Sequence, residues 1–337
     1  SCNLATGLGQ NLYLFVIICL LIFVHHPVSD SWLWDDKLLI EGNQKLHSFD
    51  HITKLWFEDL WYGSLGEHPK HFYRPMVVFD FWLDLQLSTS PVFMKWHSLL
   101  WHITAIVLSW LFFQKQIAGA EKQRMCLLFL PAFHPFSLEI TQFISARNDV
   151  MSWCFAITTG LCMIHRRYFT AMLVAVMALL SKEVAIVYLV FVCLHLYIVD
   201  PESKKQMKNM TICIFTAISL YLSVRSITGI DSPSFHLPKL ITGFNYLSCM
   251  FQPNQCPTAM PEQSELNTIG VFLFLLLSLW VYQRKNRVAL LGFGFCIISI
   301  IIASSAVQLS EGMAHRYVYG SLYLISIAIF AGWNEKL

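Results

Sequence analysis

The 337-residue chain is 56% hydrophobic and 13% charged, with a formal net charge of +2. Soluble domains carry about 25% charged residues, so the composition, with a mean hydropathy of +0.54, is that of a membrane protein and leaves almost no room for a separate soluble domain. With a net charge of +2, no acidic or basic balance points to a nucleic-acid partner, and none is expected.

Spanning helices need about 17–25 apolar residues. Segments approaching that length fall at 9–26, 92–114, 125–144, 149–165, 168–182, 183–199, 209–227, 268–283, 288–307 and 317–333. They predict an all-α integral membrane protein of about ten transmembrane helices in a single domain, 1–337. The first segment lacks a basic flank and an Ala-x-Ala site, so it is expected to stay as an anchor. Pro131 and Pro135 are expected to break the third segment inside the membrane. Lys115, Lys122 and Arg124, then Arg166 and Arg167, then Lys204, Lys205 and Lys208, then Arg284, Lys285 and Arg287 all fall in loops of one parity. That side is expected to be cytoplasmic. The long loops 27–91 and 228–267 then face the periplasm or lumen.

The first outer loop carries WLWDDKLLIEGN, Trp32 to Asn43. Asp35 and Asp36 sit there between interfacial tryptophans, at a depth where carboxylates are costly unless paired or working. They are alternatively solvated loop acids or the start of a helix before Lys37. His47–Gly63 places Phe49, Ile52, Leu55, Trp56 and Leu60 at helical spacing, which predicts an amphipathic helix on the membrane surface. A second helix should start at Arg74-Pro75, with Asp80 and Asp84 on one face.

Further along, His134, Glu139, Arg147 and Asp149 gather around one turn; the alternative to a functional role is a structural salt bridge from Arg147 to Asp149 or Glu139, and for Lys182 and Glu183 a local buried pair. Lys182 and Glu183 lie at membrane depth between two segments with no real loop. Glu311, His315, Arg316 and Tyr317 are expected on the outer side. His97 and His102 read as packing or interface residues rather than ligands. The ten cysteines include no CxxC pair, and most sit inside apolar segments as small buried residues. Cys249 and Cys256 share one outer loop, where a disulfide is possible in an oxidising compartment. A divalent metal at Asp35 and Asp36 lacks an evident third protein ligand, and no P-loop or GxGxxG points to a soluble nucleotide.

Carboxylates, cations and aromatic walls beside lipid suit a negatively charged, lipid-linked substrate. Cations neutralise the phosphate, grooves between helices hold the tail, and a carboxylate serves as general base.

The series WDDKLLIEGN, FYRP (Phe72–Pro75), HPFSLEITQFISARND, LLSKE (Leu179–Glu183) and HRYVYG resembles, in order, the membrane half of the transmembrane-and-tetratricopeptide-repeat O-mannosyltransferases and their bacterial relatives. The likeness implies a GT-C-like helical bundle with outer-face juxtamembrane helices. It also implies inverting transfer of mannose or another hexose from a polyprenyl- or dolichyl-phosphate carrier to a hydroxyl of an acceptor protein or glycan. By the same resemblance Asp35 is the catalytic base and Asp36 supports it. Arg74, His134, Glu139, Arg147, Asp149, Lys182, Glu183, Arg316 and Tyr317 bind the donor phosphate or sugar, and no metal is firmly implied. Departures from the family pattern are Ser137 where a histidine is usual, His315 in place of an acid, and Gly320-Ser321 in place of Leu-Pro. The repeats do not follow by Leu337, so a partner protein or a small acceptor is expected to replace them, and a bacterial inner membrane is expected ahead of an ER membrane. The rival expectation is a non-catalytic GT-C-like subunit or scaffold of a membrane complex.

Overall fold

Apolar runs pair their backbone N–H and C=O groups most cheaply within themselves, as helices. In the computed structural model, residues 2–65, 72–116, 121–230, 250, 268–306 and 318–333 are described, and among them there is no strand. The helices are α1 (Cys2–His25), α2 (Ile52–Leu55), α3 (Pro75–Leu87), α4 (Pro91–Gln116), α5 (Glu121–Phe133), α6 (Pro135–Gln142) and α7 (Arg147–Ile164). They continue as α8 (Tyr168–Ser181), α9 (Ala185–Val199), α10 (Pro201–Lys205), α11 (Met207–Thr228), α12 (Thr268–Arg284), α13 (Arg287–Ala306) and α14 (Tyr319–Trp333). The described part of the protein is thus all-α, and each predicted apolar segment is helical over its described residues, the third as two helices.

Two of these helices are long and apolar enough to cross a membrane: α4 over Pro91–Gln114, and α11. The other apolar stretches that qualify are shorter, Leu12–His25 within α1 among them, with α8 having 14 residues and α9 and α14 having 15 each. Helix length therefore supports two of the ten predicted crossings. Large apolar side chains nevertheless face outward on several helices. They include Phe15 and Phe23 on α1, Phe215, Leu222 and Ile227 on α11, and Phe272 and Leu279 on α12. A water-soluble monomer rarely exposes so many large apolar side chains.

α7 is the central helix, packed against α4, α8 and α9. Gly160 permits the approach: a Cβ there would lie 2.6 Å from both Phe112 of α4 and Val192 of α9. Trp153 of α7 stacks on Tyr323 of α14 at 4.5 Å between centroids and meets Tyr188 of α9 edge-on at 5.2 Å.

The third predicted segment does break, but at His134. Pro131 stays inside α5, and Pro135 opens α6. The carbonyls freed by the break find side-chain partners. Ser137 donates to Pro131 O at 2.6 Å, and His25 and His102 both donate through Nε2 to Ala132 O, at 3.0 and 3.3 Å. Because a carbonyl only accepts, both imidazoles carry their proton on Nε2. The Nδ1 of His102 then accepts from Tyr319 Oη at 2.8 Å, and that hydroxyl meets Tyr323 Oη at 3.0 Å.

The amphipathic helix predicted over His47–Gly63 does not form as one helix. Phe49–His51 makes a single 3-10 turn, Ile52–Leu55 one α turn, and turns follow. Side-chain bonds to the backbone compete with the helical ladder here. Asp59 accepts from Trp61 N at 2.8 Å and Phe72 N at 2.6 Å, and Tyr73 Oη donates to Trp56 O at 2.9 Å. Burial keeps the Tyr73 phenol protonated by raising its pKa. Leu55, Leu60 and Trp61 instead pack inward on Val77, Phe81 and Trp82 of α3.

Candidate functional site

The charged residues converge on the first turn of α7, Arg147-Asn148-Asp149, and on the break between α8 and α9. Asp36 is fully buried, and its carboxylate accepts from Ser145 N at 2.7 Å and Ile144 N at 3.1 Å. It thereby fixes the 3-10 turn that delivers Arg147 to α7. Lys95 of α4, also fully buried, donates to Ser29 O, Ser29 Oγ and Ser31 O at 2.9–3.1 Å. That holds down the segment entering Asp35-Asp36. Trp34, just before the acids, has φ +34°, a strained value for a bulky residue. The acid pair is therefore divided: Asp36 is structural and buried, while Asp35 is half-buried.

Arg147 is 0% exposed and held by residues distant in sequence. Its Nη1 donates to Asp80 and, at 2.7 Å, to Asp84, its Nε to Ser98 at 3.1 Å, and its Nη2 to Met94 O at 2.7 Å. Its partners are thus the i, i+4 acids of α3, not the Asp149 or Glu139 that the structural alternative had offered. A guanidinium so engaged would have to leave its pocket to reach a phosphate. His97 joins the same cluster, with Nδ1 at 2.6 Å from Asp84, and Trp101 Nε1 donates to Asp80 at 3.2 Å. His97 is therefore more than the packing residue predicted.

Asp80, Asp84 and His97 offer ligand atoms within 4.8 Å of one another, the spacing of a metal site. Arg147 Nη1 already bonds both carboxylates, so a dication would face a guanidinium in the same place. This donor set does not fit a metal.

The α8–α9 break sends consecutive side chains to different partners. Lys182, extended at φ −163° and ψ 140°, pairs with Asp149. Glu183 takes Arg74, which donates from Nη2 at 3.0 Å and Nε at 3.2 Å. Arg225 of α11 lies 3.7 Å from the other Glu183 oxygen and donates to Tyr221 Oη at 2.9 Å. His134 caps α6: its Nδ1 accepts from Phe136 N at 3.2 Å and its Nε2 donates to Met250 O at 3.0 Å. Glu139 is half-buried on α6.

The structure therefore joins Arg74 to Glu183 and Asp149 to Lys182, and ties Asp36 to the turn before Arg147. Arg316 and Tyr317 lie outside the described residues, as do Glu311, His315, the Cys249–Cys256 pair and most of the loop 228–267. Sequence reasoning missed Arg225 and gave Asp80, Asp84 and His97 no role. The available signals were a lone arginine in an apolar 22-residue helix and two acids one turn apart in another. No protein-family model, no curated protein and no solved structure matches the chain.

Proposed function

We propose that the protein is an integral-membrane glycosyltransferase of GT-C type. It moves mannose or another hexose from a polyprenyl- or dolichyl-phosphate carrier to an acceptor hydroxyl on the periplasmic or lumenal side. One observation carries the reading. Ionisable side chains from the first loop, α3, α7, α8–α9 and α11 converge in an otherwise apolar helical protein, and such groups are retained mainly where they bind or react. Around the α8–α9 break Arg74, Lys182 and Arg225 lie together with Asp149 and Glu183, a cluster of charged groups that suits a polar, anionic donor.

In this reading Asp35 takes the proton of the acceptor hydroxyl as the acceptor oxygen bonds to the anomeric carbon. The bond from that carbon to the carrier's phosphate oxygen breaks from the opposite face. The configuration inverts, and the lipid phosphate leaves with its charge met by cations. The acceptor is a protein or glycan, chosen with the help of a partner protein.

A second reading, a non-catalytic GT-C-like subunit, draws on the saturation of Arg147 and the pairing of Lys182 with Asp149, which suit a structural network. Transfer from labelled polyprenyl-phosphate mannose and related donors, in membranes holding wild type or Asp35→Asn, separates the two. Transfer by wild type alone supports the enzyme with Asp35 as base. Equal transfer by Asp35→Asn refutes the base assignment, and no transfer by a stable wild type with its native partners favours the subunit.

A further inference from the structure

Two short connections on the face expected to be cytoplasmic are tied into one surface. Tyr168, the first residue of α8, donates from Oη to Gln206 Oε1, and Cys213 Sγ of α11 donates to Tyr168 O at 3.5 Å. Glu202 of α10 reaches Arg166 at 3.4 Å and Lys205 at 2.6 Å. Residues 165–168 and 200–208 together hold five Lys and Arg side chains, Arg166, Arg167, Lys204, Lys205 and Lys208, against two acids. One acid, Asp200, is occupied in capping α10, where it accepts from Glu202 N, Ser203 N and Ser203 Oγ at 2.6–3.2 Å. The other, Glu202, is shared by two cations. Five cations against two acids leave a formal excess of three positive charges, and all five cations are exposed.

Arg166 is kept there at a cost to the backbone. It follows α7 in the left-handed region, at φ +58°. Its N–H bonds Met163 O while that of Arg167 bonds Cys162 O, both at 2.9 Å. This is the helix ending in which glycine is free of strain. The exposed ion pair with Glu202, its members 62% and 58% exposed, returns little stability. Stability therefore does not explain an arginine at that position.

Beside these cations the exposed side chains are apolar. Phe169 and Leu173 lie on α8, Ile212 and Phe215 on α11, and the two helices pack against each other. Cations bordering exposed hydrocarbon match an amphiphile with an anionic head. An acidic protein would answer the charges but not Phe169 and Phe215, which are 73% and 71% exposed.

We infer that this surface binds anionic phospholipid of the adjacent leaflet, the cations meeting the headgroup phosphate and the acyl chains lying along α8 and α11. The inference rests on the membrane reading alone and goes beyond the transferase, because none of these side chains belongs to its proposed site. No covalent change is involved.

The test titrates the full chain, in zwitterionic detergent micelles, with phosphatidylglycerol and with phosphatidylcholine, and counts bound lipid by native mass spectrometry. Wild type should prefer phosphatidylglycerol, and a photoactivatable phosphatidylglycerol should label residues 166–170 and 204–215. Each cation near the surface is worth about fivefold in affinity. Arg167→Gln/Lys204→Gln/Lys208→Gln should therefore weaken binding about 100-fold, and Glu202→Gln, which removes the competing acid, should strengthen it. Arg166→Gly should weaken binding about fivefold while its unfolding midpoint equals or exceeds that of wild type, a pair of results that misfolding cannot give. Unchanged affinity in the triple variant overturns the inference, as does equal binding of phosphatidylcholine. Glycerol phosphate competing as well as the lipid would assign the surface to a soluble anion, and poly-glutamate displacing the lipid would assign it to an acidic protein. Either result overturns the inference. Sugar transfer is read separately: its absence with every donor removes the transferase and leaves the lipid surface standing.

Discussion

Replacing Arg147 with methionine removes one cation and leaves Asp80 and Asp84, 6% and 1% exposed, facing each other without it. The guanidinium makes four hydrogen bonds to Asp80, Asp84, Ser98 and the Met94 carbonyl. Removing one partner of a buried pair costs about 3–5 kcal/mol, because the other charge stays buried and uncompensated. At about 1.4 kcal/mol per decade, the folding equilibrium should fall by two to nearly four powers of ten. Equilibrium unfolding in mixed micelles, followed by circular dichroism, measures the change. The triple variant Arg147→Met/Asp80→Asn/Asp84→Asn removes the whole ionic set and should recover much of the loss, since neutral replacement of a buried network is often tolerated. A loss of only about 1 kcal/mol in Arg147→Met, the scale of an exposed ion pair, would refute the reasoning. So would a triple variant no better than the single one.

Asp36→Asn presents one acceptor and one donor where two backbone N–H groups, of Ile144 and Ser145, now meet two carboxylate oxygens. It should cost about 1–3 kcal/mol for the unsatisfied amide, seen as faster hydrogen exchange at 144–145, and unchanged exchange there would contradict the role of Asp36 in fixing that turn. Gly320→Ala should cost about 1–3 kcal/mol by overpacking, because its Cβ would fall 2.3 Å from Tyr188 Cζ and Oη. An unfolding midpoint equal to wild type would show that Tyr188 moves aside freely. For orientation, Ser31→Cys should react with a membrane-impermeant maleimide from the periplasmic or lumenal side and Lys204→Cys from the cytoplasmic side. Labelling of both from one side would abolish the proposed topology, and labelling from the opposite sides to those stated would reverse it.

The helical segments were readable because apolar length is a local property of the sequence. Their ends were less so. Pro131 suggested a break, but this proline is tolerated inside α5: the Leu127 carbonyl, whose i+4 N–H it removes, accepts from Ser326 Oγ of α14 instead. The spacing of Phe49, Ile52, Leu55 and Leu60 is that of an amphipathic helix, yet Asp59 and Tyr73 bond the backbone across the loop and fold it into turns. Those contacts reach up to 17 residues along the chain, and periodicity does not report them. The site shows the same division. That Arg147, Lys182 and Glu183 would be special followed from charge inside apolar segments. Their partners were a tertiary matter: Asp80 and Asp84 lie more than 60 residues from Arg147, farther than Glu139 or Asp149. Arg225 was hidden in a helix that otherwise read as a plain span.

The most direct test of the central claim is release of polyprenyl phosphate by the purified full chain in proteoliposomes. The chain would be supplied with polyprenyl-phosphate mannose, other polyprenyl-phosphate hexoses and an extract of candidate acceptors and partners. The account predicts that lipid phosphate and labelled acceptor appear in equal amounts with wild type, and that neither appears with a folded Asp35→Asn variant. Lipid phosphate and labelled acceptor absent for every donor, from a stable wild type with its native partners present, would contradict it.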